Sequence, residues 1–342
     1  MNVPGIVFVD NEPSVLNALR RLLRLSHRDW DMHFFSSAEE AMGRLEQISP
    51  WVLVADRHLQ EMDGIELLAR AARITPQAIR VLLAADAQME SALKATAAAH
   101  LVIRKPFERE VIDDLLTRAR VLHQLPLSEE LRTRLGQLDG LPVLPDIYQK
   151  ITTVLEQSEP DVAEVARLIR QDQVLLSRVL QLVNSPFFGF NSRTHDVEVA
   201  VMRLGLQTIH NLVLIIELYQ HSDRIPQQLG DRLMREAMLL AEQTGALCDS
   251  RGVNKNTRNL AVISALLHNI GLLVVEDDPR EYHLASAYLL ELWGFETEVI
   301  EAVQHQQDSV LPPDVEPATE ILNTALKLRR GIDLTDSEVV GE

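Results

Sequence analysis

The first third of the chain alternates unbroken apolar runs with stretches in which apolar residues recur every three or four positions. The runs cover residues 6–9 (IVFV), 51–55 (WVLVA), 80–85 (RVLLAA) and 101–105 (LVIRK). Runs of this kind suit strands buried on both faces of a parallel sheet. Between them, residues 14–25 place Val15, Leu16, Leu19, Leu22 and Leu23 on one helical stripe, and residues 36–48 open with a Ser/Glu arrangement resembling a capping box. The alternation predicts an α/β domain, a doubly wound parallel sheet with helices on both sides. In such folds chemistry collects beyond the carboxyl ends of the strands.

The pattern changes near residue 125. A helix over 108–125 is stopped by Pro126, and a short helical connector over 128–138 carries Leu131, Leu135 and Leu138 at helical spacing with no Gly/Ser-rich or Pro-rich spacer. It is expected to pack against one or both neighbouring domains. Beyond it the chain is almost entirely helical in pattern, with breaks at Pro, Gly and Asn. Residues 161–190 show two amphipathic segments, an Asn-Ser-Pro break, and then Phe187, Phe188 and Phe190, read as core packing. The domains expected are 1–122, a connector over 123–138, an all-α domain over 139–330, and a tail over 331–342.

Composition narrows the setting. Of 342 residues, 46% are hydrophobic and 24% charged, and no apolar run approaches the about 18 residues of a membrane span. The N-terminus lacks the basic segment and cleavage pattern of a signal peptide, so a cytoplasmic protein without membrane insertion is expected. A single cysteine, Cys248, excludes an internal disulfide and is read as a small core residue. Residues 1–125 hold 15 Lys+Arg against 17 Asp+Glu, a net of −2; subtraction from the totals of 33 and 50 leaves 18 against 33, or −15, for 126–342. A surface this acidic, with no basic recognition helix, disfavours direct nucleic-acid binding.

Three charged residues stand at strand ends: Asp10 after the first run, Asp56 after the second, Lys105 at the close of the last. Converging on one pocket, they suit a phosphoryl acceptor, with Asp56 as nucleophile, Asp10 helping to hold a divalent ion and Lys105 pairing with the phosphate. The plainer reading is three unrelated helix caps or surface pairs.

With these residues on view, residues 3–122 resemble a two-component response-regulator receiver domain. FVDNEPSVL, DRHLQEMDGIELL and RKPF follow its acidic, phosphoacceptor and Lys-Pro loops. The resemblance implies a five-stranded sheet, phosphorylation of Asp56 by a sensor histidine kinase, and Mg²⁺. It also marks departures: Asn11 in place of a second acidic metal ligand, Ala84 in place of a Ser or Thr hydroxyl, His100 at the aromatic switch position, and Gln60 in place of proline. A weak Mg²⁺ site at Asp10, Asn11 and Asp56 is the expectation.

From about residue 138 to 325 the chain resembles the HDOD domain, a helical relative of the HD phosphohydrolases. LPVLPDIYQKI, AVMRLGLQTIHNLVL, SALLHNIGLLV and residues 283–307 follow its pattern in order. An HD hydrolase needs a histidine from one helix, a His-Asp pair from another and a further Asp to hold metal and activate water. Here the pair is His268-Asn269, Glu236 stands where the earlier histidine is expected, and His283 and His305 follow. The site therefore reads as degenerate, with no catalytic residue and no transition metal. The family is chiefly one of interaction modules, which implies binding of a signalling protein or nucleotide-signalling enzyme and leaves room for a homodimer. The competing expectation is a metal-dependent HD phosphohydrolase acting on a nucleotide or cyclic dinucleotide.

Overall fold

The computed structural model describes residues 3–23, 27–60, 62–85, 98–107, 109–137, 146–155, 157–184, 194–220, 227–275 and 279–338. The chain divides into two compact units, Met1–Val143 and Leu144–Glu342.

In the first unit, strands β1 (Gly5–Val9), β2 (Asp31–Phe35), β3 (Val52–Asp56), β4 (Ile79–Ala85) and β5 (Leu101–Lys105) form one sheet in the order β2-β1-β3-β4-β5. All four pairings are parallel. The four apolar runs become the inner strands and β5; β2 was not legible as a run because DMHFF alternates polar and apolar residues, as suits an edge strand covered less on both faces. Helices α1 (Pro13–Leu23), α2 (Ala38–Ile48), α3 (Gly64–Ile74) and α4 (Arg109–Gln124) flank the sheet. On α1 the predicted stripe buries Leu16, Leu19 and Leu23. The Ser37 hydroxyl caps α2 by accepting from the Glu40 amide at 3.3 Å, satisfying one of the donors a helix start leaves open.

The connector forms α5 (Glu129–Gln137) and belongs to the first unit. Leu131 and Leu135 are buried, while Leu138 lies outside the described residues. Two arginines fasten it. Arg132 donates to the carbonyls of Leu122, within the last turn of α4, and Leu125, just beyond it. Arg80 at the start of β4 is 1% exposed; its Nε donates to Ala98 O at 2.7 Å and a guanidinium nitrogen to Gly136 O at 2.6 Å. Charge-assisted bonds to carbonyls are what permit an arginine at this depth.

The second unit is helical among its described residues. It comprises α6 (Asp146–Leu155), α7 (Val162–Arg170), α8 (Gln173–Val183), α9 (Val197–Leu204), α10 (Leu206–Gln220), α11 (Gln227–Arg251), α12 (Lys255–Leu267), α13 (Tyr282–Trp293), α14 (Thr297–Gln304) and α15 (Pro317–Glu338). Asp161, Asp196 and Asn254 cap α7, α9 and α12 through their side chains. Phe187, Phe188 and Phe190 lie outside the described residues, but Asn184 just before them exchanges two 2.8 Å bonds with the backbone of Thr194. Cys248 is buried, as expected of a small core residue. No single helix among the described residues is long and apolar enough to cross a membrane.

The seat of the connector yields a stability prediction. A Cβ at Gly136 would fall 1.4 Å from the carbonyl oxygen of Pro76, which is backbone and cannot step aside. Gly136→Ala should therefore cost about 1–3 kcal/mol in denaturant unfolding, the range of overpacking, whereas Gly43→Ala, with open space around it, should cost nothing or stabilise.

Candidate functional site

The parallel register sets β1 and β3 side by side, with Val9 opposite Ala55, so the residues that follow, Asp10 and Asp56, emerge next to each other. Both carboxylates are buried, at 1% and 9% exposure. Lys105 ends β5, two strands from β3, and its side chain reaches back over the sheet's carboxyl edge. Its ammonium lies 2.7 Å from Asp10 Oδ2 and 2.6 Å from Asp56 Oδ1. Burial alone would lower the lysine pKa, but its hydrogen bonds to both carboxylates and their negative charge outweigh it and hold it above the ordinary value. The remaining oxygens are also bonded: Asp10 Oδ1 accepts the Glu12 amide at 2.8 Å, and Asp56 Oδ2 the His58 amide at 3.0 Å.

Local chain geometry supports Asp56. The Asp63 carboxylate contacts the Arg57 guanidinium and caps α3 by accepting the Ile65 amide at 2.9 Å. The first residue of α3 must be glycine, because a Cβ on Gly64 would lie 2.0 Å from the Asp56 carbonyl oxygen. The helix thus closes directly on the backbone of the candidate nucleophile.

The departures separate into two kinds. Ala84 is fully buried in a cluster with Ala55, Val9 and Leu82, and brings no hydrogen-bonding group to the strand ends. Asn11 stands beside Asp10 at the same mouth, half-buried. His100, expected as the switch residue, is not near the pocket. It precedes β5, accepts the Arg80 amide on Nδ1 at 3.2 Å and donates its own amide to Arg80 O at 2.7 Å. Arg80 is the second residue of β4, so His100 sits at the amino end of a strand whose carboxyl end carries Lys105, about 16 Å away at strand rise. The β5 residue that packs into the cluster holding Ala84 is Val102, which is aliphatic. Sequence proximity to the Lys-Pro loop suggested His100; the register overrules it. Its pKa is well below normal through burial and the nearby Arg80 charge.

Two carboxylates and an amide oxygen are hard donors of the kind Mg²⁺ takes, and Asp10 with Asp56 fits such an ion. The fit is thin, since Asn11 adds no charge and Lys105 already cancels one of two negative charges.

In the second unit, His268 caps α12 and its neighbour Asn269 begins a short 3₁₀ turn, Ile270–Leu273. His268 Nδ1 bonds Ala265 O at 2.8 Å, and burial lowers its pKa to about 4. The Asn269 amide donates to Leu233 O at 3.1 Å on α11, the helix that also carries Glu236. The His268 carbonyl accepts from Ser286 Oγ at 3.2 Å and Gln306 Nε2 at 2.9 Å, and Ser286 Oγ accepts the Gly271 amide at 2.8 Å. A Cβ at Gly271 would meet Tyr282 O at 2.1 Å, so the His-Asn segment is pressed onto the start of α13. His305 Nδ1 is 2.7 Å from Asp308 Oδ2, and the backbone carbonyl of Glu236 accepts from Arg329. His283 Nδ1 is buried without a hydrogen-bond partner, with a pKa lowered chiefly by burial. Glu236, His268, Asn269, His283 and His305 thus lie on elements tied to one another, yet no group of three or more His, Cys, Asp or Glu among the described residues is set to hold a metal.

Sequence reasoning missed the polar residues that tie this region together. Gln306 and Asn323 are 1% and 2% exposed, and the Asn323 amide serves the carbonyls of His305, Gln306 and Asp308. It also missed the stack of Tyr148 on His210, with centroids 3.7 Å apart, where His210 Nε2 meets Thr152 Oγ1 at 2.8 Å.

Residues 6–117 match the response regulator receiver domain family, and residues 141–285 the HDOD domain family. The chain is a receiver domain followed by an HDOD domain. Among curated relatives, an uncharacterized protein of Treponema pallidum (strain Nichols) is 30% identical over 183 residues, 48% of this chain and 33% of that protein, so the chain spans about a third of that relative's length. The transcriptional regulatory protein TrcR of Mycobacterium tuberculosis is 28% identical over 209 residues, 58% of this chain and 77% of TrcR. Among solved structures, the signal receiver domain of an HD domain-containing protein from Pseudomonas fluorescens Pf-5 is 28% identical, with 35% of this chain and 88% of that chain covered and a TM-score of 0.32.

The buried histidines set a pH dependence. A histidine whose folded pKa is lowered to about 4 from 6.5 is neutral in the fold while the unfolded chain takes up a proton. Its contribution is complete above pH 6.5 and is lost as the pH falls toward 4. The fall in urea stability between pH 7 and pH 5 should therefore shrink by roughly 2 kcal/mol in His268→Gln. A pH slope identical to wild type would mean that His268 titrates alike in the folded and unfolded chain.

Proposed function

We propose that the chain is a cytoplasmic two-component response regulator. Its receiver takes input at Asp56, from a sensor histidine kinase or by docking, and its HDOD domain is a non-catalytic output that binds a signalling partner. Residues 123–138 serve as the helical connector. The observation that carries the input half is the Lys105 ammonium held between Asp10 and Asp56 at 2.7 and 2.6 Å. An Asp56 oxygen attacking a phosphohistidine would form the acyl phosphate as the nitrogen–phosphorus bond breaks, and the imidazole of the donor would leave. Lys105 would then pair with a phosphate oxygen in place of Asp56 Oδ1. A magnesium ion held by Asp10 and Asp56, with Asn11 as a neutral neighbour, would supply neutralisation of the charge that develops in the transfer.

Support for the output half comes from what His268 and Asn269 do. An HD hydrolase would aim an imidazole nitrogen and a carboxylate oxygen at the metal; here His268 Nδ1 bonds its own helix and the Asn269 amide bonds α11. The Asn269 amide is thereby committed to tying the end of α12 to α11, and it donates where a bridging carboxylate would have to accept a cation. The competing reading, an HD-class phosphohydrolase, predicts His268-dependent turnover.

Two measurements test the two halves separately. Titration of Mg²⁺ and beryllofluoride, followed by amide chemical shifts, should give changes that vanish in Asp56→Ala, saturate weakly because of Asn11, and fade before Arg80 because Ala84 offers no hydroxyl. Tight binding with changes reaching Val102 and Arg80 would show an intact switch; shifts independent of Asp56 would remove the phosphoacceptor role. Purified protein with Mn²⁺ or Mg²⁺ should hydrolyse nucleotides and cyclic dinucleotides no faster than His268→Ala, and turnover that depends on His268 would establish the hydrolase instead.

A further inference from the structure

On the receiver, the sheet ends at β2, and an open cleft of about 1080 Å³ runs along that edge. Its rims are basic: Arg20 and Arg21 come from α1, Arg28 from the turn before β2, and Arg44 from α2. All four are exposed. Of the carboxylates beside the edge, Asp29 is paired with Arg120. Within a chain of net charge −17, this is a concentration of cations with the opposite sign to the whole.

The floor of the cleft is backbone. Asp31 N donates to Pro4 O, and Phe35 O accepts from Asp10 N, which turns residues 31, 33 and 35 toward β1. Alternation along a parallel ladder then turns the amides and carbonyls of Met32 and Phe34 outward, away from the sheet. No described strand pairs with β2 on that side. Side chains from both faces border the same opening. Phe34 stacks on Phe8 at 5.2 Å with the Arg20 guanidinium 4.7 Å over its ring, while on the opposite face Phe35 joins the core under α2.

We infer that the β2 edge is a docking site for an extended acidic segment of a partner protein, which adds a strand beside Met32 and Phe34 and lays its carboxylates against Arg20, Arg21, Arg28 and Arg44. An added strand satisfies the outward backbone groups, as strand addition does at other open edges. Its side chains alternate between faces, so acidic residues would meet the α1 arginines on one side and Arg44 on the other, and guanidinium groups pair carboxylates in two-point fashion. A nucleic acid would use the same cations but leave the outward amides of Met32 and Phe34 without partners. This surface is separate from the Asp56 pocket, which opens at the carboxyl ends of the strands.

The test uses the full-length chain and a fluorescein-labelled hexapeptide, Glu-Glu-Thr-Glu-Glu-Thr, whose adjacent glutamates project to both faces of an added strand, with the Lys-Lys-Thr-Lys-Lys-Thr peptide as control. The acidic peptide should bind saturably by anisotropy, slow hydrogen exchange at the amides of Met32 and Phe34, and bind about tenfold more weakly to the double variant Arg20→Glu, Arg44→Glu. Met32→Pro removes an outward donor without touching the β1 ladder and should weaken binding comparably; if it unfolds, the arginine variant and the exchange data still decide. Equal binding of the lysine peptide, no binding, or binding unaffected by the arginine changes would each overturn the inference. So would tighter binding of single-stranded oligonucleotide without protection of those two amides, or peptide-independent dimerisation through the same edge.

Discussion

Two carboxylates at the ends of adjacent strands repel each other, and at the separations inside a domain that repulsion is worth about 4 kcal/mol at an effective dielectric near 20. Lys105 removes it by lying between them. Everything else at the mouth of the receiver is arranged around that triad: Gly64 lets α3 start against the Asp56 backbone, Asp63 holds Arg57 and the helix start together, and the Glu12 and His58 amides take the oxygens Lys105 leaves. Removing the lysine would leave two buried, uncompensated charges, a costlier state than never having built the pair.

The helical unit handles buried polarity by another route. Apart from Arg258, which pairs with Asp249, its buried polar residues are neutral, and those around His268 bond mainly to backbone carbonyls: Gln306 and Ser286 to His268, Asn323 to three carbonyls after α14, Asn269 to α11. A metal centre needs side-chain lone pairs free to point at one ion. Here the Asn269 amide and His268 Nδ1 face backbone and His305 Nδ1 faces Asp308, and a carboxamide at 269 can donate to Leu233 where a carboxylate could only accept. The Asp-to-Asn difference therefore changes the bond's direction: from a ligand facing a cation to a donor facing a carbonyl.

How much of this was legible depended on whether the signal was local. The inner strands were visible because burial on both faces demands continuous apolar runs, and Asp10, Asp56 and Lys105 were visible because strand ends share one edge of a parallel sheet. Strand β2 escaped because an edge strand keeps polar residues such as Asp31 and His33. His100 was misplaced because counting back from Lys105 gives no sense of which end of β5 faces the pocket; that needs the register with β4. Arg80 looked like a polar blemish at the start of an apolar run, and nothing local connects it to Gly136, 56 positions away. The same holds for Gln306 and Asn323, whose partners lie on other segments of the chain.

The Arg80 contact bears on how a signal could leave the receiver. Strand β4 starts with the residues that grip the connector and ends with Ala84 in the core beneath the pocket, about 13 Å apart at strand rise. Coupling between two sites requires an element with two arrangements whose balance both sites bias. A hydroxyl at 84 would give phosphate a contact present in only one arrangement; alanine gives it none, and a ligand shifts an equilibrium only by its differential affinity. At the other end, Arg80 bonds Ala98 and Gly136 together, and His100 closes on the same backbone. These bonds fix β4, the start of β5 and α5 as one block. Any displacement of the connector that keeps these bonds must therefore carry that block whole.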